Sequence, residues 1–225
     1  MALLQTDGLT KSFGSLTAVD HVDFELDEGG IYSIIGPNGA GKTTFFNLIT
    51  GEYDATAGSI SFRGSDVTEL PPHERVNRGM GRVFQISNLF PELTTFENVR
   101  LAVQSTVSDD RSNLLEKTTS DQGVIDTTHD ILDDLDLHPK RELPADSLPY
   151  GDKRRLEIGM AVALEPDLLL MDEPTAGLPE EELNEVIDYI RDVATDHTVL
   201  LVEHKMDVVM GLSDRISVLH EGEII

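Results

Sequence analysis

Eight consecutive residues, Gly36-Pro37-Asn38-Gly39-Ala40-Gly41-Lys42-Thr43, follow the pattern G-x-x-x-x-G-K-[ST]. Chemistry dictates that layout. Glycines allow successive backbone N–H groups, here from Asn38, Gly39, Ala40 and Gly41, to turn onto phosphate oxygens. The helix that follows, opening with Thr43 and Thr44, points its positive end at the same anion. Lys42 is placed to reach the β- and γ-phosphates, and the Thr43 hydroxyl to coordinate Mg²⁺. The residues therefore point to binding of a nucleoside triphosphate.

A second constellation lies at Asp167-Leu168-Leu169-Leu170-Met171-Asp172-Glu173, an apolar run ending in two acids. Asp172 is suited to hold Mg²⁺, because hard cations take carboxylate oxygens. Glu173, one residue on, is suited to orient and deprotonate an attacking water. Together with the phosphate loop, the pair favours hydrolysis of ATP over simple binding.

These groups need a scaffold that brings strand ends to one edge. Ile31 to Ile35, directly before the loop, reads as a buried parallel strand, as do Leu168 to Met171 and Val199 to Val202; Gly58 to Phe62 and Ile216 to Leu219 read as further strands. Leu183, Val186, Ile187 and Ile190 recur at helical spacing after Pro179, which fits a first helical position. Strands alternating with helices imply an α/β protein with a mostly parallel sheet covered on both faces. Residues 104–123 are polar and read as a surface loop or insertion.

The chain has 225 residues and a formal net charge of −25, with 17 Lys and Arg against 42 Asp and Glu. That balance excludes nucleic acid as a main partner, since phosphate contacts need clustered cations. Its 39% hydrophobic content supplies a core, so the acidity is not that of a disordered tail. A field of this sign and size is the expectation for a halophilic cytoplasm, where salt screens it. There is no Cys, which removes disulfides and thiolate chemistry. No apolar run approaches the roughly 18 residues of a spanning helix, and the N-terminus lacks a signal-peptide layout, so a soluble cytoplasmic chain is expected. Residues 63–100 are unusual in carrying five basic and five acidic groups, a net charge of zero.

Taken together, the motifs resemble the nucleotide-binding subunits of ABC transporters over nearly the whole chain. The resemblance implies a P-loop NTPase of the ABC type, with a mostly parallel core sheet, an N-terminal antiparallel β subdomain and an inserted helical subdomain. It places the core at approximately 1–85 and 165–225 and the helical subdomain at approximately 86–164. Phe13, in Lys11-Ser12-Phe13-Gly14, stands where the family has an aromatic residue that stacks on adenine, and Val19 is counted with it at the nucleotide. Gln85, in Val83-Phe84-Gln85, matches the family's glutamine loop, which touches Mg²⁺ and the reacting water. His204, after the Val199–Val202 run, matches the switch histidine that contacts the γ-phosphate and holds Glu173.

Two departures stand out. The signature, usually Leu-Ser-Gly-Gly-Gln, reads Leu148-Pro149-Tyr150-Gly151-Asp152, so the serine hydroxyl is replaced by Pro149 while Tyr150 and Gly151 remain at a helix start. Pro179 stands where the loop after Glu173 usually carries Asp or Asn. The Tyr150-Gly151 form, with Val202-Glu203-His204-Lys205-Met206, narrows the resemblance to importers of branched-chain amino acids and their relatives for urea and amides. It implies ATP and Mg²⁺ as cofactors and transmembrane permease subunits as partners. It also implies a second ATP-binding subunit, identical or a paralogue, and a solute-binding protein acting indirectly. Localisation follows as peripheral, on the inner face of the membrane. Members usually continue past the position of Ile225, so a further C-terminal segment is expected. The competing readings are a soluble ABC-type ATPase and an ATP-regulated assembly module uncoupled from transport. Phe84, Leu89, Phe90 and Phe96, beside Gln85, are the apolar candidates for docking a permease helix.

Overall fold

The buried runs of the sequence become the strands of a six-stranded sheet. A computed structural model describes residues 2–83, 89–107 and 117–225. Strands β3 (Ile31–Ile35), β7 (Leu168–Asp172) and β8 (Thr198–Val202) are buried almost throughout, as interior strands of a parallel sheet must be. With β6 (Met80–Val83), β9 (Arg215–His220) and β10 (Glu223–Ile224) they lie in the order β10-β9-β3-β8-β7-β6. All neighbours pair in parallel except β9 and β10. Because the strands run the same way, their C-terminal ends share one edge, where α/β proteins bind ligands.

A second, antiparallel sheet in the order β2-β1-β4-β5 comprises β1 (Ala2–Phe13), β2 (Leu16–Asp27), β4 (Ala57–Phe62) and β5 (Ser65–Asp66). In β2 the alternation of Val22, Phe24 and Leu26 with exposed acids turns one face inward. One core joins this face to helix α1 (Lys42–Thr50) and the parallel sheet through Val19, Phe24, Phe45, Phe46, Ile34 and Leu200.

The C-terminus of α1 is fixed by a buried cation. Gly51 closes the helix in a left-handed conformation, φ 80°, its N–H bonded to Leu48 O. Arg75, at the end of α2 (Pro72–Val76), donates to Leu48 O and Ile49 O at 2.6 Å each, to Thr68 O at 2.8 Å and to Leu70 O at 2.9 Å. A guanidinium there adds a second bond to Leu48 O, serves Ile49 O in the last turn, and opposes the negative end of the helix dipole. Burial pushes the Arg75 pKa down.

Contacts divide the chain into two compact units, 1–85 with 166–174 and 191–225, and 86–165 with 175–190. The second is built on α3 (Thr95–Val107), α4 (Lys117–Asp134) and α5 (Tyr150–Val162), around Val99, Val103, Leu132, Leu135, Leu148 and Leu156. Helix α3 starts with a capping box: Glu97 N donates to Thr94 Oγ1 at 3.1 Å, and Thr94 N donates to the Glu97 carboxylate at 2.9 Å.

Two expectations change. Residues 104–107 and 117–123 are helical rather than loop, because Val124, Thr128 and Leu132 give α4 a buried stripe within a polar sequence. Pro179 precedes α6 (Glu180–Asp196) instead of occupying its first position, and its carbonyl accepts the first helical bonds, from Glu182 N and Leu183 N. The last helix is α7 (Met206–Leu212). Among the described residues no helix is long and apolar enough to cross a membrane.

Candidate functional site: a phosphate loop facing a carboxylate pair

The phosphate loop joins β3 to α1 as its spacing predicts, and close packing explains two of its glycines. Gly36 and Gly41 have φ of 155° and 103°. A Cβ on Gly36 would lie 2.0 Å from Leu219 O, and one on Gly41 would lie 2.2 Å from Ala18 O. Backbone bonds from Asp20 N to Gly222 O and from Gly222 N to Ala40 O tie the loop to β2 and to the turn before β10. Asn38, Gly39 and Thr43 are exposed, Thr44 half-buried and Ala40 buried. Lys42 is buried, its ammonium donating to Gly36 O at 2.7 Å and Pro37 O at 3.0 Å. An ammonium has three protons to donate, so two anchor it across the loop and the third suits a phosphate oxygen. Burial lowers its pKa, and the charges of Glu173 and Asp172 oppose that shift.

Strand register delivers the acids. Asp172 pairs with Val202, and Glu173 N donates to Val202 O at 2.9 Å. Glu173 then leaves the strand at φ 50°, a left-handed conformation uncommon for a non-glycine residue, and His204 lies two residues past Val202. The result is that His204 Nε2 sits 2.5 Å from Glu173 Oε1. An ionised carboxylate only accepts, so Nε2 carries the proton and the imidazole fixes the orientation of the acid. Asp172 is buried and its pKa raised, chiefly by desolvation; Arg82, Lys42 and His204 work against the rise and Glu173 adds to it. The Asp172 carboxylate at this strand end is a hard oxygen donor, which suits a divalent cation such as Mg²⁺.

Sequence reasoning missed Arg82. It donates from Nη1 to Thr50 Oγ1 at 3.0 Å and places Nη2 3.9 Å from Asp172 Oδ2, linking the end of α1 to the end of β7. Its presence next to Gln85 gave no signal, since an Arg in an acidic chain reads as surface. Arg75 and Arg82 are both interior, so the zero charge of segment 63–100 does not describe its surface. Without them the segment has 5 − 2 = 3 basic groups against 5 acidic ones. Of the apolar docking candidates, Phe90 is 51% exposed, whereas Leu89 and Phe96 pack against the core of the second unit. Gln85 and Phe84 lie outside the described residues.

Phe13 ends β1 at 45% exposure, which a core residue would not show. It pairs with Leu16, two residues along β2 from the Ala18 carbonyl that abuts Gly41. Val19, by contrast, is fully buried in the core, so it supports this corner from beneath and has no surface to offer a nucleotide. In the second unit, Tyr150 opens α5 at 49% exposure and Pro149 gives that helix no side-chain cap. Gly151 N instead donates to the Glu182 carboxylate, and the buried Asp152 accepts from Lys140 and, at 2.6 Å, from Arg155.

The fold and the two constellations define an ATP-binding cassette ATPase. The profile of the ABC transporter family matches residues 19–176, and the chain belongs to that family. It is 40% identical to the high-affinity branched-chain amino acid transport ATP-binding protein LivG of Salmonella typhimurium, over 98% of this chain and 89% of that protein. It is 38% identical to BraF of Pseudomonas aeruginosa, with the same description and coverage, and 32% identical to a probable LivG of Archaeoglobus fulgidus, over 100% of this chain and 88% of that protein. Among solved structures it is similar to the ADP conformation of MJ1267, an ATP-binding cassette of an ABC transporter (TM-score 0.85, 29% identity, all of this chain and 90% of that one). It is also similar to a dimeric post-hydrolysis state of the cassette MJ0796 bound to ADP and Pi (TM-score 0.80, 26% identity, 98% and 96%).

Proposed function

We propose that this subunit powers uptake of branched-chain amino acids, or of related small polar solutes such as urea and amides, by hydrolysing ATP for a pair of membrane permeases. The observation that carries the reading is the Glu173–His204 pair at 2.5 Å, on the sheet edge that also bears Lys42. The names of the LivG and BraF relatives support the solute class. Lys42 and the loop N–H groups of residues 38–41 hold the phosphates. Thr43, Asp172 and Gln85 hold Mg²⁺, which when bound neutralises charge on the β- and γ-phosphates. Glu173 takes a proton from the attacking water while His204 keeps its carboxylate aimed. Phe13 stacks on the base.

Two subunits, identical or paralogous, sandwich two ATP molecules head to tail, with Tyr150 and Gly151 of one facing the phosphate loop of the other. ATP favours that closed pair and hydrolysis releases it, so differential contacts drive the cycle. The subunit lies on the inner face of the membrane through its permeases, a solute-binding protein acts indirectly, and nucleic acid is not a partner. Phe90, exposed and five residues after Gln85 in the sequence, is the foremost candidate for permease docking. Co-expression with the permease pair and solute-binding protein tests this reading. Wild type should co-purify with the permeases and support ATP-dependent leucine uptake. Phe90→Asp should lose both while the separate subunit still binds ATP; uptake intact in that variant overturns the docking assignment. Leu89→Asp is a poorer test, since it also disturbs a core contact.

A further inference from the structure

Phe13 does not stand alone at the end of β1. Tyr53, 39% exposed, meets it edge to face, ring centroids 5.5 Å apart and planes at 79°. The Lys11 ammonium lies 5.2 Å from the Phe13 centroid and 5.7 Å from that of Tyr53, and donates to Asp54 O at 2.5 Å. Two exposed aromatic rings with a cation over both have no core to explain them. Only six Lys occur in this chain, and Lys11 and Lys42 are two of them.

The backbone around the cluster is tied down. Tyr53 N donates to Asn47 O of α1, Thr56 N donates to Thr10 O, and Ser12 N donates to Thr56 Oγ1 at 3.0 Å. Helix α1 therefore starts at the phosphate loop with Lys42 and, at its other end, sets the place of Tyr53. An exposed Phe on a strand end would otherwise exchange rotamers and lose entropy on stacking a base.

We infer that Tyr53, with Lys11, is a positioning residue for the nucleotide: it holds the Phe13 ring in the plane that receives the purine. The inference rests on Phe13 receiving the base. Its energetics are those of an edge-to-face pair reinforced by a cation–π contact, and both act through the ring and not through the tyrosine hydroxyl.

Calorimetric binding of Mg²⁺–ATP and of inorganic tripolyphosphate, to wild type, Phe13→Ala, Tyr53→Leu, Tyr53→Phe and Phe13→Ala/Tyr53→Leu, tests it. Tyr53→Leu should weaken ATP about three- to tenfold, in the range of such a ring pair. Tyr53→Phe should bind as wild type, and Tyr53→Leu should add nothing in the Phe13→Ala background. Tripolyphosphate, which has no base, should bind all five alike. Wild-type ATP affinity in Tyr53→Leu while Phe13→Ala is weakened overturns the role of Tyr53 alone. Additive losses overturn positioning, as does weaker tripolyphosphate binding in Tyr53→Leu, which would mean a disturbed α1. ATP affinity unchanged in Phe13→Ala overturns the base platform and this inference with it.

Discussion

Replacing Gly41 by Ala separates geometry from sequence pattern in the phosphate loop. At φ 103° an L-residue is strained, at a cost of about 1–2 kcal/mol. The added Cβ would lie 2.2 Å from Ala18 O, where ordinary contact is about 3.4 Å, so loop and β2 must part by about 1 Å. Lys42 follows Gly41 directly and is anchored across the loop to Gly36 O and Pro37 O, so the shift reaches the phosphate site. A misplacement of about 1 Å can cost about 100-fold in function. Gly39 provides the matched control: φ is 82° and a Cβ there meets nothing within 4 Å, so Gly39→Ala carries the conformational cost alone. By calorimetry, Gly41→Ala should weaken ATP binding by about 100-fold and Gly39→Ala by about tenfold or less. Melting points should fall by about 2–4 °C per kcal/mol for a chain of this size, leaving both variants folded. Equal ATP affinity in the two variants, or a larger loss in Gly39→Ala, would refute the close-approach argument.

Arg75→Leu removes four hydrogen bonds to carbonyls, of which Leu48 O alone keeps a partner among the described residues, Gly51 N, and should destabilise the chain by about 3–5 kcal/mol, read from the urea midpoint. A loss under about 1 kcal/mol would show that the α1 terminus does not depend on it. The charge of −25 predicts that raising KCl from about 0.1 to about 1 M, which shortens the Debye length from about 10 to about 3 Å, raises the melting temperature. A flat or falling melting curve series would remove the halophilic interpretation of the acidity.

The legible parts of this molecule were those whose chemistry is carried by contiguous residues. Gly36 to Thr43 form their loop locally, and Leu168 to Glu173 end in acids wherever the strand lies. His204 was legible because one strand leads to it. Pairing of β7 with β8 in register then does what neither segment could announce, bringing His204 to Glu173. What stayed hidden was three-dimensional compensation. Arg75 and Arg82 count as surface charge in a sequence and are interior in the fold, so the neutral stretch 63–100 pointed to a surface that is net acidic. Tyr53 has no periodic pattern and acquires a role only when α1 brings it to Phe13. Val19 shows the reverse error, a residue assigned to the nucleotide that packing withdraws into the core. Polar 117–123 looked like loop because the sequence of α4 offers no large apolar residue before Val124.

The central claim is that Glu173, held by His204, activates water for ATP hydrolysis. Steady-state turnover of wild type and Glu173→Gln, with ATP affinity measured in parallel, tests it most directly. The account predicts that Glu173→Gln keeps ATP affinity within a few-fold of wild type and loses at least about 100-fold in kcat, the scale of a general base. Equal turnover in the two proteins would contradict it.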